Sequence, residues 1–321
     1  MMKYKAQIAL LIALAVSLGL SMCSGQIDDY YLDILLNVGI NITLAVSLNL
    51  VNGHTGQFSL GHAGFMSLGA YGASVFSLQM GDRLITVFGG QSVFATSVTF
   101  LIALTVGGVC AAACGWLVGV PSLRLRGDYL AIVTLGFNEI IRVVLQNTSG
   151  DGAFGGALGL KGIPLYTNIF WTFGVAAVTI YTISCMVNST YGRGFLAVRD
   201  DEVAAEAMGV NTVRYKVTAF VLGAFFAGLA GGLYAHLRGT ISPEGFNFLK
   251  SVDVVVIVIL GGMGSTPGVV LAAIVLTLLN EKLRDFEQYR MVVFSLILII
   301  MMIVRPQGLL PATLFQRRKN A

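Results

Sequence analysis

Long apolar runs without charge alternate with short polar segments along this chain. The ten apolar segments separated in this way are 6–24, 33–51, 58–80, 93–119, 128–146, 168–187, 217–237, 251–262, 268–280 and 290–304. A helix needs roughly 20 mainly apolar residues to cross a bilayer, and most of these segments meet or approach that length. The shorter alternating segments typical of membrane barrel strands are absent from the sequence. The pattern therefore predicts an all-α integral membrane protein, a polytopic helical bundle of about 8–10 transmembrane segments, some short or broken.

Two neighbouring apolar segments, 251–262 and 268–280, are too short to cross a membrane alone. A glycine-rich linker, Gly261 to Gly268, joins them. Either both helices are tilted and extended by neighbouring residues, or they form a re-entrant pair. Both arrangements return the chain to the same side, so the total number of segments does not decide between them.

A second glycine-rich break lies at residues 52–64, so each half of the chain contains one break. Polar, irregular backbone at membrane depth is tolerated only where protein or water surrounds it. Paired breaks can mark the substrate path of a transporter; the alternative is that the glycines let helices approach closely. The candidate pathway residues in the two breaks are Gly56, Gln57, Ser59, Gly61, His62, Gly64, Gly261, Gly262, Gly264 and Ser265.

Polar and ionisable residues also occur inside the fifth predicted segment, at Asn138, Glu139 and Arg142. Glu139 and Arg142 are three residues apart, so they share one face of a helix and can neutralise each other. Charged groups within a membrane are costly and often functional. Asn138 and Glu139 are therefore candidate pathway residues, with a structural ion pair as the alternative for Glu139.

The most charged part of the chain is the segment 193–216, whose 24 residues carry 8 of the 36 Lys, Arg, Asp and Glu side chains. This density of charge predicts a position outside lipid. Its Ala, Glu and Met residues favour a helix, which Gly209 can end. A short charged helix between spans suits contact with a soluble partner. The residues assigned to this docking role are Arg199, Asp200, Glu202, Ala204, Ala205, Glu206 and Gly209.

Composition agrees with a membrane protein of one domain spanning residues 1–321. Hydrophobic residues make up 56% of the chain and charged residues 11%, which excludes a soluble domain. Positive residues near span ends mark the cytoplasmic side. The positive clusters are Lys3/Lys5, Arg124/Arg126, the segment 193–216 and Arg317/Arg318/Lys319, whereas Asp28, Asp29 and Asp151 fall in the alternate loops. Both termini are therefore predicted to be cytoplasmic.

The first apolar run, Ala6 to Leu20 after two lysines, has features of a signal peptide. It is also long enough to span a membrane, and the remaining chain is apolar. We therefore expect it to be retained as the first helix.

No constellation for catalysis, metal binding or nucleotide binding is found in the sequence. The three histidines, His54, His62 and His236, lack metal-ligand spacing to a carboxylate or thiolate. The glycine-rich stretch 150–156 falls in a predicted external loop and does not connect a strand to a helix. We expect the chain not to be an enzyme and to use no metal or other cofactor.

Several motifs follow one another along the chain: Gly56 to Met66 followed by Gly69-Ala70-Tyr71, then Glu202 to Gly209, Gly239 to Pro243, Gly261 to Ser265 and Arg305 to Leu309. In this order they resemble the motifs of branched-chain amino acid ABC transporter permeases of the LivM type. The resemblance covers about residues 30–312. It implies the fold of an ABC importer permease in a bacterial inner membrane.

The resemblance also implies partners and a division of labour. The expected partners are a second permease of the LivH type, two cytoplasmic ATPase subunits and a periplasmic substrate-binding protein. Import of leucine, isoleucine and valine is implied, with ATP hydrolysis in the separate ATPase subunits. The segment 199–211 would be the coupling helix that contacts an ATPase subunit, although Val203 stands where the related Glu-Ala-Ala…Gly loop has glutamate.

Two alternatives remain at the level of the sequence. Permeases with the same motifs import urea, short amides or other amino acids. A stand-alone secondary transporter driven by an ion gradient is disfavoured, because only Glu139, with Asp253 near a segment edge, supplies an intramembrane carboxylate.

Overall fold

The computed structural model describes residues 2–22, 28–90, 92–123, 128–149 and 154–284, with 292–293, 295–296, 299–300, 303–304 and 308–310. The α-helices in these residues are α1 (Met2–Met22), α2 (Asp29–Asn49), α3 (His62–Val87), α4 (Val93–Ser122), α5 (Asp128–Gln146), α6 (Ile169–Val187), α7 (Thr190–Asp200), α8 (Glu202–Ala207), α9 (Thr212–Arg238), α10 (Phe248–Gly261) and α11 (Thr266–Lys282). A π-helical turn, Leu50–His54, extends α2. The predicted all-α fold is confirmed.

Among the residues that the structure describes, five helices are long and apolar enough to cross a membrane. They are Asp29–His54, Val93–Ser122, Tyr129–Gln146, Ile169–Val187 and Thr212–Arg238. The chain is therefore a multi-pass membrane protein. The last predicted segment, 290–304, lies largely outside the described residues, as do Arg124/Arg126, Asp151, Arg317/Arg318/Lys319 and residues 305–307 of the last motif.

The predicted segment boundaries agree well in some places and poorly in others. Segment 128–146 coincides with α5. Segment 58–80 began too early and ended too soon, because α3 starts at His62 and continues past Asp82 and Arg83 to Val87. Residues 55–61, the middle of the glycine-rich break, form an irregular connection, whereas residues 52–54 belong to the π-helical turn and residues 62–64 to α3.

Helices α3, α4 and α9 form the most closely packed part of the bundle. Gly69 in α3 lies directly against the backbone of Gly228 in α9, with no room for a β-carbon. A β-carbon on Gly107 in α4 would lie 2.5 Å from the carbonyl oxygen of Gly69. Glycines thus bring three helix backbones together, as small residues do at helix interfaces in membranes.

Helix α11 runs antiparallel to α2. At one end, the backbone N–H of Gly264, just before α11, donates to Asn49 Oδ1 at 2.8 Å. Near the middle of α2, Asn41 Nδ2 donates to Thr277 Oγ1 at 3.0 Å. Helix α11 therefore lies alongside α2 from the end of α2 to its middle.

A two-stranded sheet ties two loops to one end of the bundle. Strand β1 (Leu160–Lys161) pairs antiparallel with β2 (Thr240–Ile241). The α5–α6 and α9–α10 connections therefore lie on the same side, as the predicted alternation of spans requires. We refer to this side as the sheet end.

Candidate coupling and translocation sites

The charged segment forms two helices where the sequence predicts one. Helix α7 ends at Asp200, and Asp201 adopts an extended conformation with φ −159° and ψ 110°. Its Oδ1 accepts hydrogen bonds from the backbone N–H groups of Val203 and Ala204 at 2.9 and 3.0 Å. An aspartate in this position caps a helix N-terminus. Arg199 and Asp200 therefore belong to α7, and the remaining predicted docking residues to α8 and its C-terminal cap.

Gly209 ends α8 as predicted. It has φ +82°, which favours glycine. The N–H of Gly209 donates to the carbonyl of Glu206, and the N–H of Val210 to that of Ala205. This pair of bonds is the Schellman arrangement at a helix C-terminus. Both ends of α8 are therefore fixed by local hydrogen bonds.

Side-chain contacts also fix α8 to the start of α9. Lys216 Nζ lies 2.5 Å from Glu202 Oε1, and the Lys216 side chain is only 5% exposed. Thr212 Oγ1 donates to Glu206 Oε1 at 2.8 Å. A buried cation requires a partner, so Glu202 holds α8 in place. Glu202 and Glu206, predicted to contact a partner protein, thus both have partners within the chain.

The surface that α8 presents to solvent is more apolar than the sequence analysis anticipated. Val203 is 62% exposed and Met208 84% exposed, whereas Ala205 is 6% exposed and is unavailable to a partner. Val203 and Met208 were not among the predicted docking residues. They could have been recognised in the sequence as two large apolar side chains within a short charged helix.

The two glycine-rich breaks meet in space beside Arg199. Gly53 leaves no room for a β-carbon against the backbone N–H of Gly264. A β-carbon on Gly56 would lie 2.9 Å from Arg199 Cγ, and one on Gly264 would lie 3.4 Å from Arg199 Nη1. We call Gly53, Gly56, Gly264 and Arg199 the glycine junction. It joins the end of α2, the α10–α11 turn and the end of α7.

Arg199 is held in the junction by its neighbour. Its Nε and Nη2 donate to Asp200 Oδ1 at 3.0 and 2.8 Å. Its aliphatic stem lies against Gly56, and Nη1 is directed toward Gly264. Arg199 was predicted from sequence to contact a partner; its contact with both breaks was not.

The predicted pathway residues of the second break have structural roles in this conformation. Gly261 packs against α11, where a β-carbon would lie 2.5 Å from Val269 Cα. Gly262 has φ +100°, and Ser265 Oγ accepts from the N–H of Gly268 at 3.4 Å to cap α11. These residues shape the turn that reaches the glycine junction.

The first break packs along α5. Leu60 N–H donates to Thr134 Oγ1 at 3.1 Å. Gly61 lies against the Thr134 carbonyl, and a β-carbon on Gly64 would lie 3.0 Å from Asn138 Oδ1. The structure thus brings Gly61, Gly64 and Asn138 together. Both polar atoms of the buried Asn138 amide lack a hydrogen-bond partner, so Asn138 has unused hydrogen-bonding capacity.

The remaining polar residues of this break differ in their surroundings. His62 is buried, and its Nε2 lies 2.8 Å from Ser47 Oγ, in keeping with a packing role. Ser59 N–H donates to Asn52 Oδ1 at 3.2 Å. Gln57 is buried and, like Asn138, has no partner for either amide atom. Of these three, Gln57 retains unused hydrogen-bonding capacity.

The predicted ion pair in α5 is confirmed. Arg142 Nη2 lies 2.7 Å from Glu139 Oε2, and the side chains are 28% and 35% exposed. The charge of Glu139 is therefore neutralised by Arg142 in the same helix.

Sequence reasoning missed a small polar cavity between α2, α10 and α11. Its polar lining consists of Asn41, Lys250, Asp253, Thr277 and Asn280. Asn41 comes from α2 and the other four from α10 and α11, more than 200 positions later in the chain, so no local motif reveals their proximity.

A family model for the permease component of branched-chain amino acid transport systems matches residues 30–304. The chain belongs to this family. The LivM permease protein of Escherichia coli K12 is 36% identical over 343 residues, covering 97% of this chain and 76% of that protein. A probable LivM protein of Methanocaldococcus jannaschii is 23% identical, covering 87% of this chain and 92% of that protein. No solved structure matches the chain.

Part of the chain is also similar to a permease of the other type. The LivH permease protein of Escherichia coli K12 is 30% identical over 144 residues, which cover 44% of this chain and 46% of that protein. The resemblance on which the sequence analysis relied is thus confirmed at the level of the family.

Proposed function

We propose that this chain is a transmembrane permease subunit of an ATP-driven importer that translocates leucine, isoleucine and valine into the cytoplasm. The family and the names of its LivM relatives support the substrate class. The observation that carries the ATP-driven part is α8, a capped charged helix between α7 and α9 that exposes Val203 and Met208.

In this proposal, the chain forms a heterodimer with a LivH-type permease. Two cytoplasmic ATPase subunits hydrolyse ATP, and a periplasmic binding protein delivers substrate, so the chain itself is not an enzyme. The assembly lies in a bacterial inner membrane with both termini of this chain in the cytoplasm. Related permeases for urea, short amides or other amino acids are the alternative substrate classes.

The glycine junction supplies a route by which an ATPase acts on the membrane helices. A force applied to α8 passes through Asp201 to α7, at whose end Arg199 contacts both glycine-rich breaks. One break ends α2, and the other joins α10 to α11. Nucleotide binding shifts such an equilibrium only by favouring one arrangement over the other. We therefore expect the contacts of Arg199 with the two breaks to differ between the two arrangements of the membrane helices.

An ion-coupled secondary transporter is the less favoured function. Such a transporter usually has a carboxylate within its spans that binds and releases an ion. Glu139 is paired with Arg142 in the same helix, which supports a structural role.

The first test is isolation of the tagged chain from its native membrane in mild detergent, with mass spectrometry of the proteins that accompany it. We expect a second permease and ATPase subunits in amounts similar to the chain, and ATP-dependent uptake of leucine after reconstitution of the complex. A chain isolated alone that accumulates solute on an ion gradient contradicts the proposal. A complex that transports urea and not leucine contradicts only the substrate.

A further inference from the structure

Five polar side chains line a cavity between α2, α10 and α11, which we call the polar cleft. They are Asn41, Lys250, Asp253, Thr277 and Asn280, and the other lining residues are apolar, at Val254, Val256, Ile257 and Leu276. The cavity has a volume of about 20 Å³. A volume of this size accommodates about one water molecule, so the cleft is closed to an amino acid in this conformation.

The polar cleft reaches the middle of the membrane. Asn41 is the thirteenth of the 26 residues in the spanning stretch Asp29–His54, and it donates to Thr277 Oγ1 at 3.0 Å. Lys250 lies in the first turn of α10, which follows β2 at the sheet end. The cleft therefore extends from near that end toward the centre of the bundle.

Charged groups at this depth are costly unless they face protein or a watery path. Lys250 and Asp253 are three residues apart on α10, so a cation and an anion occupy one helix face. Asn280 contributes an amide whose Oδ1 is buried without a hydrogen-bond partner. The cleft thus contains a carboxylate, an ammonium group and the unpaired amide oxygen of Asn280, beside apolar side chains.

We propose that the polar cleft binds the ammonium and carboxylate groups of the amino acid in transit, once α10 and α11 separate from α2. Asp253 and Asn280 Oδ1 accept from the ammonium group, and Lys250 donates to the carboxylate. Val254 and Leu276 face the apolar side chain. This inference rests on the proposed function, because it assumes that an aliphatic amino acid is the substrate.

The test uses the intact complex in proteoliposomes that contain ATP on the cytoplasmic side, with radiolabelled leucine as the probe. Asp253→Asn and Lys250→Gln each remove one charge from the cleft. We expect each to lower leucine uptake about tenfold or more, since a hydrogen bond to a charged group is lost. Glu281→Gln is the matched control, because Glu281 follows Asn280 but pairs with Arg284 outside the cleft.

The exchanged pair Lys250→Asp with Asp253→Lys separates ligand binding from a structural ion pair. If the two charges only stabilise each other, the exchange restores uptake. If they bind the substrate, the exchange leaves uptake low, because the ammonium and carboxylate sites have changed places. Asn280→Leu removes the assigned amide acceptor without changing charge, so it tests the site even if a charge change prevents folding, and we expect it to lower leucine uptake severalfold.

The possible outcomes separate a failure of the cleft proposal from a failure of the proposed function. If the unsubstituted complex takes up leucine and both Asp253→Asn and Lys250→Gln do so fully, only the cleft proposal is wrong. Restored uptake in the exchanged pair also overturns only the cleft proposal. Absence of ATP-dependent leucine uptake by the unsubstituted complex overturns both.

Discussion

Arg199 is the residue of the charged segment 193–216 that lies against both glycine-rich breaks. Replacing it with alanine removes the guanidinium from Gly264 and most of the stem from Gly56. We expect Arg199→Ala to leave ATPase subunits bound but to lower the leucine transported per ATP severalfold. Arg199→Lys retains the stem and a positive charge and should restore part of this ratio. Both quantities are measured on the reconstituted complex.

Arg193→Ala is the control for Arg199, because Arg193 is an exposed arginine on the same helix. Unchanged coupling in Arg199→Ala, with ATPase recovery equal to wild type, would falsify the role of the glycine junction. Loss of ATPase recovery would instead place Arg199 in the docking surface.

Met208 is the most exposed apolar residue of the charged segment 193–216. Its side chain is 84% exposed, and a few residues commonly provide most of the energy of a protein interface. We expect Met208→Glu to reduce co-purification of ATPase subunits about tenfold or more. Glu206→Lys should weaken docking less, because Glu206 is partly engaged with Thr212. Met80→Glu, on α3 and 45% exposed, is the control.

At the scale of the element, α8 depends on its N-terminal cap. Asp201→Ala removes two hydrogen bonds and should destabilise α8 by about 1 kcal/mol. Hydrogen exchange at the α8 amides measures this as faster exchange confined to residues 202–208. Asp201→Asn retains a capping oxygen and should exchange at nearly the wild-type rate. Equal exchange in the alanine variant would show that α9 alone holds α8.

The glycine-rich breaks allow a test between a pathway and close packing. In this conformation Gly61 and Gly264 lie against backbone, and Gly264 has φ +83°. Replacement of either by valine should therefore lower the yield of folded protein and transport together, with a loss of about 1–3 kcal/mol of stability. Gly136→Ala, on α5 with nothing within 4 Å, should have little effect. Loss of transport with normal folding would instead support the pathway.

Helix boundaries were predicted correctly where neighbouring residues in the sequence determine them. Segment 128–146 matched α5 because its boundaries lie in adjacent polar residues. The start of α3 was misplaced because the glycine-rich residues before it are apolar enough to resemble a span. The break between α7 and α8 is readable in retrospect from Asp201, a good capping residue. The polar cleft was not predictable, since Asn41 and Thr277 meet only after folding.

At the scale of the whole molecule, the predicted orientation places α8 and the sheet end on opposite sides of the membrane. In a chain whose native cysteines are replaced, Leu158→Cys should react with an impermeant maleimide in intact spheroplasts. Leu158 is 78% exposed beside β1. Met208→Cys should react only after the membrane is opened. Labelling of both positions from the outside would contradict the orientation.

The glycine contacts among α3, α4 and α9 determine where this molecule can bend. Backbones that touch through Gly69, Gly107 and Gly228 cannot slide without breaking contacts along three helices, so these helices move as one body. The polar cleft lies outside this body, between α2 and the pair α10 and α11. Motion of α10 and α11 relative to α2 can therefore open a path beside α3, α4 and α9. Those three helices keep their arrangement through each transport cycle.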